Sequence, residues 1–319
     1  MKVLVLDDYL RVARRSADWD SLPAGSQCDV LHDPIVSEAE RLQIFEPYDV
    51  IVAMRERTAF PASLIERLRN LRLLVTTGMR NASIDLEACR RRGIVVCGAP
   101  GGRSSAAPAE LAWALILGLS KRIAQEHRAV LQGHWQTGMP SLLAGKSLGV
   151  VGLGNLGSQV ARIGAAFGMT VQAWSRNLTP ERAAQAGATS ADYESLFREA
   201  DVVSLHLALV PDTAGIVRRE HLQSMKRSAI LVNTARAELV EAGALEQALQ
   251  DGWIAGAGLD VFRTEPLPAQ DPLRRFDNAI LSPHLGYVTP ENMAGFSRNA
   301  LAAILAWAQG KPIRVLGAG

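Results

Sequence analysis

The sequence predicts an α/β protein of two doubly wound units, and three observations carry that expectation. Short apolar runs alternate with helical patterns over residues 1–100, and a second such series follows from about residue 147. Between a buried run at 148–151 and an amphipathic pattern through Val160, Ile163 and Phe167 lies a glycine-rich turn, Gly152-Leu153-Gly154-Asn155-Leu156-Gly157. At 319 residues the chain is long enough for two domains with separate cores.

In the first series, 3–6, 30–31, 50–53, 73–75 and 94–96 read as buried parallel strands. A helix is expected from Ser37, where Glu40 three residues on completes a capping-box pattern. Another is expected from Pro61 through Leu64, Ile65 and Leu68, and a third over 85–92, stopped by Gly93. No phosphate loop belongs to this unit. Pro100-Gly101-Gly102 and Pro108 then punctuate the chain before a helical pattern over 109–129. That pattern is apolar nearly all round at first, which predicts burial. A loop with Gly133, Gly138 and Pro140 leads into the second series, 150–151, 171–174, 202–205, 230–232, 257–261 and 280–281, enough for a complete dinucleotide-binding sheet. A last helix, 291–309, is not needed there. It is expected to return and cover the first domain, making that domain discontinuous.

Composition narrows the function classes. Apolar residues make up 48% of the chain and charged residues 21%, the balance of a soluble globular protein. A formal charge of +2, with no basic run interleaved with aromatics, argues against nucleic acid. Arg90-Arg91-Arg92 reads as a cationic helix end. Three cysteines, Cys28, Cys89 and Cys97, lack metal-ligand spacing and fit reduced thiols in a cytoplasmic protein, so no metal is expected. The N-terminus enters a strand directly, unlike a signal peptide, and the apolar run 111–119 is too short to cross a bilayer. No membrane partner is expected.

The glycine turn carries the first chemical expectation. Gly152 permits the tight turn, Gly154 lets backbone approach a pyrophosphate, and Gly157 lets helix and strand pack closely. The amides of Asn155, Leu156 and Gly157 then face the phosphates, with the positive end of the helix dipole behind them. The plainer alternative is a tight turn that binds nothing. About 18 residues past Gly157, where a carboxylate would read a ribose 2′-hydroxyl, the chain has Trp174-Ser175-Arg176-Asn177. Ser175 removes a charge that would repel a 2′-phosphate and Arg176 supplies a cation for one. NADP(H) is therefore the expected coenzyme, with NAD(H) possible; the alternative sends Arg176 to solvent or onto adenine. Ligands of parallel sheets lie at the carboxyl ends of strands. His206, Thr234, Arg236, Asp260 and His284 are placed there, whereas Asp201 begins a strand.

The chain resembles the D-isomer-specific 2-hydroxyacid dehydrogenase family. The likeness rests on the glycine turn together with Val203-Ser204-Leu205-His206-Leu207, Val232-Asn233-Thr234-Ala235-Arg236, Leu259-Asp260-Val261-Phe262-Arg263-Thr264-Glu265-Pro266 and Ser282-Pro283-His284-Leu285-Gly286. It implies a Rossmann-like coenzyme domain, 101–285, inserted in a discontinuous flavodoxin-like substrate domain, 1–100 and 286–319, with a cleft between them. It implies hydride transfer between the nicotinamide and a small 2-keto or D-2-hydroxy acid, as in a glyoxylate or hydroxypyruvate reductase. By the same resemblance, Arg236 grips the substrate's carboxylate and carbonyl oxygen, His284 is the acid-base and Glu265 its partner. Asp260 faces the nicotinamide or, alternatively, caps a turn; His206 lies against the coenzyme or merely packs. Arg55, Gly78 and Met79 at two strand ends of the first domain are the expected substrate contacts, with a solvated charge cluster as the alternative for Arg55. The resemblance also implies a homodimer. A phosphoglycerate-type dehydrogenase and a dinucleotide-sensing corepressor are the competing readings.

Overall fold

The computed structural model describes residues 1–35, 37–102 and 106–317. The chain forms two compact units: one from residues 1–104 and 289–319, the other from residues 105–288. These divisions fall a few residues beyond those read from the sequence.

The first unit is a five-stranded parallel sheet. Its strands are β1 (Lys2–Val5), β2 (Gln27–Val30), β3 (Val50–Ala53), β4 (Leu73–Thr77) and β5 (Val95–Ala99), in the order β2-β1-β3-β4-β5. Apolar side chains alternate between its faces, as a sheet covered on both sides requires. Leu4, Ile51, Leu74 and Val96 pack on one side with Phe45, Leu64 and Leu68. Val3, Val5, Val52 and Val75 pack on the other, against Ala300, Leu301 and Ile304 of the last helix, Pro290–Ala308. That helix covers the sheet because its small and branched residues recur every three to four positions. Ser37 caps its helix by accepting the Glu40 amide, whereas the Pro61 pattern yields only the single turn Ala62–Ile65.

The second unit holds β6 (Ser147–Val151), β7 (Thr170–Trp174), β8 (Thr189–Ser190), β9 (Val202–Leu205), β10 (Ile230–Asn233), β11 (Gly256–Leu259) and β12 (Ala279–Leu281). All pair in parallel, in the order β12-β11-β10-β9-β6-β7-β8. The order reverses at β6, so the crevice beside β6 and β9 is the switch point where such sheets bind ligands. The apolar pattern expected as one helix over 109–129 is two, Ala106–Ser120 and Ile123–Leu131. The break is at Arg122, whose backbone is left-handed at φ +56°, beside a loop whose Ser141 amide takes the Ser120 carbonyl. The first of these helices packs on the sheet, where the Trp113 indole donates to the Val160 carbonyl. The edge strand β8 has two exposed residues and no apolar run, so it carries no strand signal. Among the described residues no helix is long and apolar enough to cross a membrane, and Cys28, Cys89 and Cys97 are free and buried.

Candidate functional site

The glycine turn has the geometry of a phosphate cradle. Gly152 sits at φ +103°, and a Cβ there would lie 2.7 Å from the His206 carbonyl carbon. A Cβ on Gly157 would lie 2.1 Å from the Gly152 oxygen. Both positions exclude side chains by the protein's own backbone. At Gly154 an added Cβ meets nothing within 4 Å, so the open side of the turn is left to a ligand. Gly154 caps the helix Asn155–Ala166, whose first turn carries no acidic residue to neutralise its dipole. The turn is held from β7, since the Gly152 amide donates to the Trp174 carbonyl at 2.8 Å and the Leu153 amide to Ser175 Oγ at 2.7 Å. Ser175 thus positions the turn itself, a role its uncharged side chain did not announce. Thr234 Oγ1, just past β10, is shielded from water and has no hydrogen-bond partner among the described residues. An open cradle of amides and an orphaned hydroxyl fit a dinucleotide.

His206 is half-buried and its Nε2 lies 2.9 Å from Ser204 Oγ. Burial pushes its pKa down to about 4, so the ring is neutral near pH 7. Its backbone closes the glycine turn from the β9 side, the packing role weighed as its alternative. Arg176 is exposed and its guanidinium pairs with Asp212 at 2.9 Å.

Three adjacent strands, β10, β11 and β12, deliver the polar groups. Arg236 follows β10 in a loop tied by buried Asn233, whose Nδ2 donates to the Arg236 carbonyl at 2.8 Å. Glu265 lies in the loop after β11, where Oε1 accepts the Phe262 amide at 2.8 Å. His284 follows β12, and its Nδ1 is 2.6 Å from Glu265 Oε2. Burial pushes the Glu265 carboxyl up, but His284, the Phe262 amide and the Arg236 charge together hold it below the usual carboxylate range. An ionised carboxylate only accepts, so Nδ1 carries hydrogen and Nε2 is left to exchange a proton. The ring also packs edge-on against Tyr287, centroids 5.5 Å apart.

Asp260 is buried, 1% exposed. Oδ1 accepts the Leu285 amide at 2.7 Å and Oδ2 the Gly286 amide at 2.9 Å. It caps the turn, the alternative reading of this residue, and burial raises its pKa against those two donors. In the first unit, Arg55 and Gly78 come together: a Cβ on Gly78 would lie 2.4 Å from Arg55 Nη1. The close approach expected for substrate at Gly78 is therefore made by Arg55. The Gly78 amide also donates to the Ala99 carbonyl at 2.6 Å. Met79 beside it is exposed. Among the described residues no group of His, Cys, Asp or Glu side chains is placed to hold a metal ion.

The family model for the D-isomer specific 2-hydroxyacid dehydrogenase NAD binding domain matches residues 113–286. The chain is 38% identical to the glyoxylate reductase of Aeropyrum pernix over 83% of its own length and 84% of that protein. The chain belongs to the D-isomer specific 2-hydroxyacid dehydrogenase family. As an NAD(P)-dependent 2-hydroxyacid dehydrogenase it is also 37% identical, over 91% of its length, to the D-3-phosphoglycerate dehydrogenase of Synechocystis sp., of which it spans about half, 51%. A phosphoglycerate oxidoreductase from Vibrio cholerae superposes with a TM-score of 0.91 at 36% identity, covering 97% of the dehydrogenase and 99% of that chain. Asp212 and Tyr287 are the site neighbours that motif reading missed. Tyr287 follows His284 by one helical turn's spacing, whereas Asp212 carries no motif at all.

Proposed function

We propose that this dehydrogenase reduces a small 2-keto acid, glyoxylate or hydroxypyruvate, to the corresponding 2-hydroxy acid, the D isomer where C2 becomes a stereocentre, with NADPH preferred over NADH. The 2.6 Å pair of His284 and Glu265, with the Arg236 charge beside it, carries the proposal. When bound, the nicotinamide dinucleotide supplies the hydride. Arg236 offers a planar fork of donors to the substrate's carboxylate and carbonyl oxygens, and its charge stabilises the oxygen as negative charge develops there. His284 delivers the Nε2 proton to that oxygen, while Glu265 holds the ring by Nδ1. In the first unit, taken as the substrate domain, Arg55 and the backbone at Met79 are the proposed substrate contacts.

In the second unit, taken as the coenzyme domain, the amides of Asn155, Leu156 and Gly157 hold the phosphates and Thr234 Oγ1 gains a partner. The coenzyme preference rests on Ser175 and Arg176 at the ribose position. A homodimer is proposed from the apolar side chains left exposed on the segment after the first long helix. Trp135 is 78% and Met139 93% exposed there, with Leu131 and Leu142 beside them. A cytoplasmic setting is proposed from the free thiols.

A phosphoglycerate-type activity is the second reading, favoured by the identity to the Synechocystis enzyme. Steady-state kinetics with glyoxylate, hydroxypyruvate, phosphohydroxypyruvate and larger keto acids, each with NADPH and NADH, tests both. The proposal expects the largest kcat/KM with an unphosphorylated acid and NADPH. A phosphorylated substrate or a clear NADH advantage would overturn it, and dinucleotide binding without turnover would favour a sensor.

A further inference from the structure

Arg176 and Asp212 reach each other from opposite flanks of the strand that feeds the glycine turn. Arg176 lies just past β7, which pairs with β6 on one side. Asp212 lies on the single turn Pro211–Thr213, in the loop after β9, which pairs with β6 on the other. Their 2.9 Å contact therefore closes the space beyond the carboxyl end of β6, at the switch point of the sheet. Both ends are mounted on fixed backbone. Ser175, next to Arg176, accepts the Leu153 amide of the glycine turn. Buried Thr213, next to Asp212, accepts the Val210 amide and donates to the Ala208 carbonyl. The charged tips are in water, with side chains 57% and 67% exposed.

We infer that Asp212 sets how strongly the enzyme favours a 2′-phosphorylated coenzyme, by competing with that phosphate for Arg176. The inference rests on the proposed reading of Arg176 as the cation that meets the phosphate. A 2′-phosphate arriving at Arg176 must share or displace a carboxylate already bound, and it meets that carboxylate's negative charge in the same space. A 2′-hydroxyl makes no such demand, so NADH binding is indifferent to Asp212. An exposed ion pair is weak and screened by salt, so the phosphate still binds and the preference is tempered rather than abolished.

The test is equilibrium binding of NADPH and NADH to the full chain without substrate, followed by fluorescence. The proteins compared are wild type, Asp212→Asn and Arg176→Ala, at low and high salt. Asp212→Asn is expected to tighten NADPH by roughly threefold to tenfold at low salt, the size of one exposed pair plus relief of repulsion. NADH should stay within about twofold, and the NADPH gain should shrink at high salt. Two results would overturn the inference: an unchanged NADPH affinity in Asp212→Asn, or equal shifts for both coenzymes, which would make Asp212 a loop support. Arg176→Ala separates the two levels. If it weakens NADPH while Asp212→Asn does nothing, Arg176 keeps its role and only the competition fails. If it leaves NADPH binding unchanged, the reading of Arg176 fails and the inference with it.

Discussion

His284 holds a left-handed backbone, φ +54°, which a residue with a Cβ rarely adopts. Asp260 compensates by gripping the two amides that follow, so a buried carboxylate fixes the loop that presents the imidazole. Glu265 then fixes the ring. Replacing it with Gln keeps a hydrogen-bond acceptor but removes the carboxylate that pairs with Nδ1 at 2.6 Å. Turnover in keto-acid reduction should therefore fall by about tenfold or more in Glu265→Gln while coenzyme affinity is kept. Steady-state kinetics with a binding titration checks this, and an unchanged kcat would show that Glu265 only packs. The same carboxyl titrates below its ordinary range in the folded protein, so its contribution to stability is full above that range and is lost as pH falls through the lowered value. His206 makes the opposite case. A ring neutral down to about pH 4 contributes no charge to phosphate binding, so no step in coenzyme affinity between pH 6 and 8 should trace to it.

The strand-turn-helix at β6 separates fold from ligand through its glycines. Gly152→Ala places a side chain at φ +103° and against the His206 backbone, so it should lower Tm and coenzyme affinity together. Gly154→Ala meets no protein atom and should leave Tm unchanged while weakening coenzyme binding by about tenfold or more. Thermal unfolding and a binding titration on the two variants measure the split; a Gly154→Ala protein with undiminished affinity would remove the phosphates from that turn. The periodicities that made these elements legible were strong and local, an apolar run into G-x-G-x-x-G and strand ends carrying Arg236 and His284. What stayed hidden was tertiary. The kink at Arg122 depends on a distant loop, β8 on its neighbour β7, and the Gly78 amide is consumed by β5. The ion pair at Asp212 joins residues 36 apart along the chain with no motif between them.

The last helix belongs to the first unit although a whole second unit separates it from β5, and its Ile304 and Leu301 are buried against β1, β3 and β4. That connectivity was readable because the coenzyme sheet was already complete without it. Association is the property of the whole molecule that the exposed segment around Trp135 bears on. If the proposed homodimer forms through this segment, light scattering should give the wild type twice the mass of a Trp135→Asp, Leu142→Asp double variant, and equal masses would contradict a dimer built on this segment. The central claim remains the proton-transfer role of the Arg236, Glu265 and His284 set, and His284→Ala assayed for keto-acid reduction alongside coenzyme affinity tests it most directly. The expected result is a loss of roughly 10²–10⁴ in kcat with the NADPH dissociation constant unchanged; turnover near that of the wild type would contradict it.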